Sequence, residues 1–118
     1  MKRILIVEDD FVLSMINRKH IELMGHLVVD SVISGEAAIE SVKKHEPEII
    51  LMDIRLKGTM TGIEAMMEIS KFSKAKVIYL TGNSEQESKN LADKTNMLAF
   101  CVKPVHFEEL KNILNTEA

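Results

Sequence analysis

Five short runs of β-forming residues recur along this chain with helical segments between them: RILIVE at 3–8, LVVDSV at 27–32, EIILMD at 48–53, KVIYLT at 76–81 and LAFCV at 98–102. A strand joined to the next strand through a helix runs parallel to it, and stacking such units covers both faces of one sheet with helices. The pattern therefore predicts an α/β fold, a doubly wound, five-stranded parallel sheet.

The intervening segments carry their own start and stop signals. Asp10 can cap a first helix that turns Val12, Met15, Ile16, Lys19 and Leu23 toward the sheet, and Gly25 ends it by taking the left-handed conformation that other residues resist. Ser34 opens a second helix with Ala38 and Val42 inward, finished before Pro47. Thr61 and Glu64 make a capping box for a third, with Ile63, Met66, Met67 and Ser70 along one side. Ser84 and Glu87 do the same for a fourth, and His106 stands at the start of a fifth, where Phe107, Leu110 and Leu114 share a stripe. The fourth, SEQESKNLADKT, offers only Leu91 and Ala92 for burial, so it docks more weakly than its neighbours. It is either an exposed peripheral helix or a segment that moves.

At 118 residues, the chain has the length of one domain, taken as residues 1–118. Its net charge of −3 and its 15 dispersed Lys and Arg provide no basic footprint, which disfavours direct nucleic-acid binding and anionic membrane surfaces. No apolar run approaches the roughly 18 residues of a membrane span, and the N-terminus lacks the features of a signal peptide, so the cytoplasm is expected. The single cysteine, Cys101 in AFCV, reads as a small buried hydrophobe. The histidines, His20, His26, His45 and His106, share no metal-ligand spacing and read as surface or capping residues. The eight Met read as core filler.

The first strand runs straight into three carboxylates, Glu8, Asp9 and Asp10. Buried and unpaired, each would be costly. Either Asp10 caps the next helix while Glu8 and Asp9 sit in solvent, or a hard cation such as Mg2+ draws their oxygens together. In a doubly wound sheet the loops after the carboxyl ends of the strands share one crevice, the usual place for a ligand. Asp53 ends strand three, Thr81 strand four, and Lys103, followed by Pro104, strand five. Singly, each has a plain structural explanation. Jointly, the acids, a hydroxyl and an ammonium form the inventory for binding a metal ion and a phosphoryl group together.

The ordered motifs IVEDD, LMDI with Asp53, YLTG with Thr81, and FCVKP with Lys103 and Pro104 resemble the response regulator receiver domain, the phosphoacceptor of two-component signalling, across the whole chain. The resemblance implies the flavodoxin-like (βα)5 sandwich with strand order 2-1-3-4-5. It implies that Asp53 takes a phosphoryl group from a phosphohistidine on a sensor histidine kinase or histidine phosphotransfer protein. Asp9 and Asp53 would bind Mg2+ with the backbone carbonyl of Arg55, and Glu8 would reach it through water. Lys103 would pair with one phosphoryl oxygen and the Thr81 hydroxyl with another. Phe100 would be the aromatic that swings inward, and the surface of the fourth helix, fifth strand and fifth helix would then change to control a downstream protein. Arg55 and Asn83, two residues after the acceptor and two after Thr81, would border the path of a hydrolytic water and set a slow decay. Such a chain is no enzyme beyond its own phosphorylation and dephosphorylation. It would be a single-domain regulator or a module of a larger response regulator or hybrid kinase.

Departures from the family pattern are local. IRLKGTMTG has Lys57 where Pro is common, Thr61 where an acid often stands, and Gly62 nine residues after Asp53, so the loop is one residue longer. Phe100 lacks the hydroxyl of the commoner Tyr. A haloacid-dehalogenase-type phosphatase fits poorly, because it needs a second acid where Arg55 stands. A flavodoxin would not place three acids where a phosphate must be cradled. A pseudo-receiver would have no use for the intact set.

Overall fold

The computed structural model describes residues 1–82 and 92–116. Five parallel strands, β1 (Arg3–Val7), β2 (Leu27–Val32), β3 (Ile49–Asp53), β4 (Lys76–Thr81) and β5 (Met97–Val102), form one sheet of order β2-β1-β3-β4-β5. The described helices are α1 (Phe11–Leu23), α2 (Gly35–His45), α3 (Gly62–Ile69) and α4 (Phe107–Thr116), the last being the fifth helix expected from sequence. The sheet and its order are as expected, and each strand agrees with its run to within one residue at either end. Strand order reverses between β1 and β3, and the register holds their carboxyl ends level: Val7 pairs with Met52, Asp53 with Leu80, and Thr81 with Val102.

Both faces of the sheet are buried, which is why the strands read as near-continuous apolar runs. On one face Leu5, Val7, Ile50, Met52 and Tyr79 pack with Ala38 and Val42 of α2 and with Ile63, Met66 and Ile69 of α3. On the other, Ile4, Ile6, Leu51, Ile78, Leu80 and Cys101 pack with Ile21 of α1 and with Leu110 and Leu114 of α4. Burial pushes the Cys101 thiol up to about 12, helped by the nearby Glu109 carboxylate, as suits a hydrophobic filler.

The helix boundaries follow the expected chemistry. Asp10 Oδ1 accepts from Val12 N at 2.9 Å and Leu13 N at 3.1 Å, and Gly25 follows α1 with φ at 87°. Ser34 Oγ accepts from Ala37 N at 3.1 Å. The Thr61 hydroxyl accepts from Glu64 N at 3.1 Å while the Glu64 carboxylate accepts from Thr61 N at 2.8 Å, completing the capping box.

Two inward faces differ from expectation. Val12, Met15, Ile16 and Leu23 of α1 are exposed at 64%, 58%, 44% and 66%, and Lys19 is exposed as well. Asn17 and Ile21 are buried in their place. The helix carries apolar residues on two stripes, and its rotation is set at both ends: by the Asp10 cap and by Ile21 in the core, with the Ser14 and Ser31 hydroxyls paired at 2.9 Å against β2. The richer stripe is left outside. In α3, Ile63 and Met66 point inward as expected, but Met67 and Ser70 are exposed while Ala65 and Ile69 complete the buried side. The cap at Thr61 presses Gly62 onto the end of β3 and so fixes the rotation of α3.

Of the expected fourth helix, Ala92 is buried as anticipated, whereas residues 83–91, with the Ser84 and Glu87 cap and Leu91, lie outside the described residues. Leu110 and Leu114 of α4 are buried and Phe107 is half-buried, on the stripe anticipated for them.

Candidate functional site

The carboxyl ends of β1, β3, β4 and β5 bring Glu8, Asp9, Asp53, Thr81 and Lys103 to one place. Glu8 continues β1, its backbone N–H bonding to Val32 O at 3.0 Å. Its carboxylate is almost fully buried and accepts from Asp10 N at 3.1 Å. Of the two readings of this run, a cap alone with Glu8 in solvent does not hold: Asp10 is the cap, and Glu8 belongs to the crevice. Asp53 ends β3 and is 1% exposed. One of its oxygens accepts from Arg55 N at 3.1 Å and the other from Lys103 Nζ at 2.9 Å. The same ammonium lies 3.3 and 3.4 Å from the two Glu8 oxygens. Half-buried Asp9 completes the cluster, in which one oxygen from each of the three acids lies within 4.8 Å of the others.

Lys103 is delivered by the β4–β5 pairing, its backbone N donating to Thr81 O at 2.6 Å. Thr81 is 1% exposed at the end of β4. Phe100, three residues before Lys103, is half-buried with its ring centre 6.3 Å from that of Tyr79. Arg55 is exposed beside Asp53, and Asn83 lies outside the described residues.

Three carboxylates face one ammonium, and the electrostatics reflect it. Burial pushes Glu8 up to about 7; the Asp10 N–H opposes this, Asp53 adds to it, and Lys103 relieves part of it. Burial alone would depress Lys103, but its hydrogen bond to Asp53 and the charges of Asp53 and Glu8 outweigh that and hold it above its ordinary value. A close set of oxygen donors with surplus negative charge fits a hard divalent cation, which prefers such ligands. Among the described residues no histidine joins a metal-sized cluster.

The profile of the response regulator receiver domain matches residues 4–115. The chain belongs to this family. Chemotaxis protein CheY of Thermotoga maritima is 33% identical over 97% of this chain and 95% of that protein. The transcriptional regulatory protein PdtaR of Mycobacterium tuberculosis is 28% identical over 92% of this chain, which spans only 53% of PdtaR. Among solved structures, the signal receiver domain of a modulated diguanylate cyclase from Desulfovibrio desulfuricans superposes with a TM-score of 0.90 at 26% identity, covering 98% of this chain and 92% of that one.

Two features of the loop after Asp53 lie beyond the sequence motifs. A Cβ on Gly62 would stand 2.2 Å from Asp53 O and 2.8 Å from Met52 Cγ, so only glycine lets α3 start against this backbone. Gly62 N also donates to Ile54 O at 2.8 Å. In the sequence Gly62 marks only the length of the loop. Glu36, which no motif singles out, accepts from the Thr59 hydroxyl at 3.2 Å, and Lys57 bridges to Ser34, so the longer loop is tied to the start of α2. A contact this distant in sequence leaves no local signal.

Proposed function

We propose that this receiver is a phosphorylation-dependent signalling switch in which Asp53 accepts a phosphoryl group from a histidine on a sensor kinase or phosphotransfer protein. The observation that carries the reading is the buried Asp53 carboxylate held 2.9 Å from Lys103 Nζ inside a cluster of acids. A carboxylate is ionised at neutral pH and needs no base. An Asp53 oxygen attacks phosphorus, the P–N bond to the imidazole breaks, and the departing ring nitrogen keeps the electron pair. Lys103 meets charge on the transferred oxygens, and the Thr81 hydroxyl takes another of them once its loop draws inward. Mg2+ held by Asp9, Asp53 and the Arg55 carbonyl, with Glu8 reaching it through water, would supply the remaining positive charge.

The exposed stripe of α1 supports a protein phosphodonor. A groove of about 270 Å3 beside Glu8 and Asp9 is lined by Phe11 and Met15 of α1 and by Ile33, apolar residues 66%, 58% and 57% exposed. Phosphorylation then biases the surface around β5 and α4, with Phe100 as the moving aromatic, toward a downstream protein. By their places two residues after Asp53 and two after Thr81, Arg55 and Asn83 would set the access of water to the phosphoryl group and give the phosphorylated form a lifetime on the order of minutes or longer. Residues 1–118 act as one module, in the cytoplasm, with no chemistry on an outside substrate. Among the described residues no helix is long and apolar enough to cross a membrane.

Incubation with acetyl phosphate, followed by intact mass measurement, tests this. One phosphoryl group is expected in Mg2+ and none in EDTA; equal labelling in both would overturn the metal's part.

A further inference from the structure

The opposite end of the sheet carries a second concavity that phosphotransfer does not use. A cleft of about 750 Å3 opens between the last turn of α2 and the connection from α3 to β4, within the range of small-molecule sites, roughly 300–1,000 Å3. Its floor is apolar, made by the buried Val42, Pro47, Ile49 and Ala75. Its rim sets Lys2, Lys43, Lys74 and Lys76 against Glu46 and Glu48, a positive surplus in a chain of net charge −3.

One of these two acids already has a backbone partner. Glu48 Oε1 accepts from Arg3 N at 2.9 Å. The carbonyls at the end of α2, which would repel an anion, are met by the Arg3 guanidinium: it donates to Glu46 O at 2.7 Å and also to His45 O. At one lip Phe72, 47% exposed, has Lys43 Nζ 5.5 Å from its ring centre, so an open aromatic surface and a cation meet at one point.

We propose that this cleft binds a nucleotide, its base against Phe72 and its phosphates among Lys43, Lys74 and Lys76. Aromatic stacking and clustered ammonium groups over an apolar floor are the chemistry that recognises a planar base joined to a polyanion. The length of β3, about 13 Å, separates the cleft from Asp53, so occupancy and phosphorylation do not exclude each other.

Amide NMR titration of the whole chain tests this, with ATP, adenosine and inorganic triphosphate as separate probes in EDTA to keep metal from the acid cluster. ATP should give saturable shifts confined to residues 2–3, 42–49 and 72–76. The double variant Lys43→Glu, Lys74→Glu should weaken ATP at least about tenfold, and Phe72→Ala should weaken ATP while leaving triphosphate unchanged. These side chains are on the surface, and unchanged dispersion of the remaining amides would report an intact fold. Absence of saturation by about 5 mM ATP, well beyond the weak end of specific binding, would overturn the site. So would shifts centred on Glu8 and Asp53, or ATP binding unaltered in both variants.

Discussion

α3 and α1 make opposite use of their apolar residues, and the contrast separates what holds this receiver together from what it offers to a partner. In α3, Ile63, Met66 and Ile69 are at most 3% exposed and Met67 alone of its large apolar residues stays outside. In α1, Phe11, Val12, Met15, Ile16 and Leu23 are all exposed, and of the apolar side chains only Ile21 is fully buried. Both helices follow strands that end in the acid cluster and both are capped, yet their contacts differ. Gly62 starts α3 against the backbone at the end of β3, and its apolar side turns into the core; Ile21 in the core and Ser14 against β2 hold α1 so that its richer stripe faces out, next to Asp9.

The contrast can be broken from the α3 side first. Met66→Ala should cost about 2–5 kcal/mol, the range for emptying a close-packed position, read as a lower urea midpoint with unchanged slope. A loss below about 1 kcal/mol would mean that α3 is not the anchored helix. Gly62→Ala should cost about 1–3 kcal/mol through overpacking against Asp53 O. Because the displaced atom belongs to Asp53, the proposed acceptor, labelling by acetyl phosphate should slow as well; unchanged labelling with reduced stability would detach Gly62 from the site.

The smallest effect on stability is expected on α1. Met15→Ser should change the unfolding free energy read from urea titration by less than about 0.5 kcal/mol and leave acetyl-phosphate labelling as it was, yet slow transfer from a phosphohistidine protein. Equal rates from both donors would remove α1 from the docking surface.

The same contrast explains what could be read from the sequence. Strands buried on both faces announce themselves as apolar runs, and their parallel order follows from the helices between them. The site residues stand at strand ends, where a doubly wound sheet gathers them, so Glu8, Asp9, Asp53, Thr81 and Lys103 were legible as a set. Helix rotation was not, because α1 carries two apolar stripes and only contacts with β2 and the core choose between them. Glu36 and the Gly62 contact were hidden for a related reason, since each matters through a backbone or loop brought near by the fold.

The central claim is that Asp53 is the acceptor, singled out by Lys103 and the acid cluster. Intact mass measurement of wild type and Asp53→Asn after incubation with acetyl phosphate and Mg2+ tests it most directly. One added phosphoryl group on the wild type and none on the variant is the predicted result; an Asp53→Asn protein labelled to the wild-type extent would contradict it.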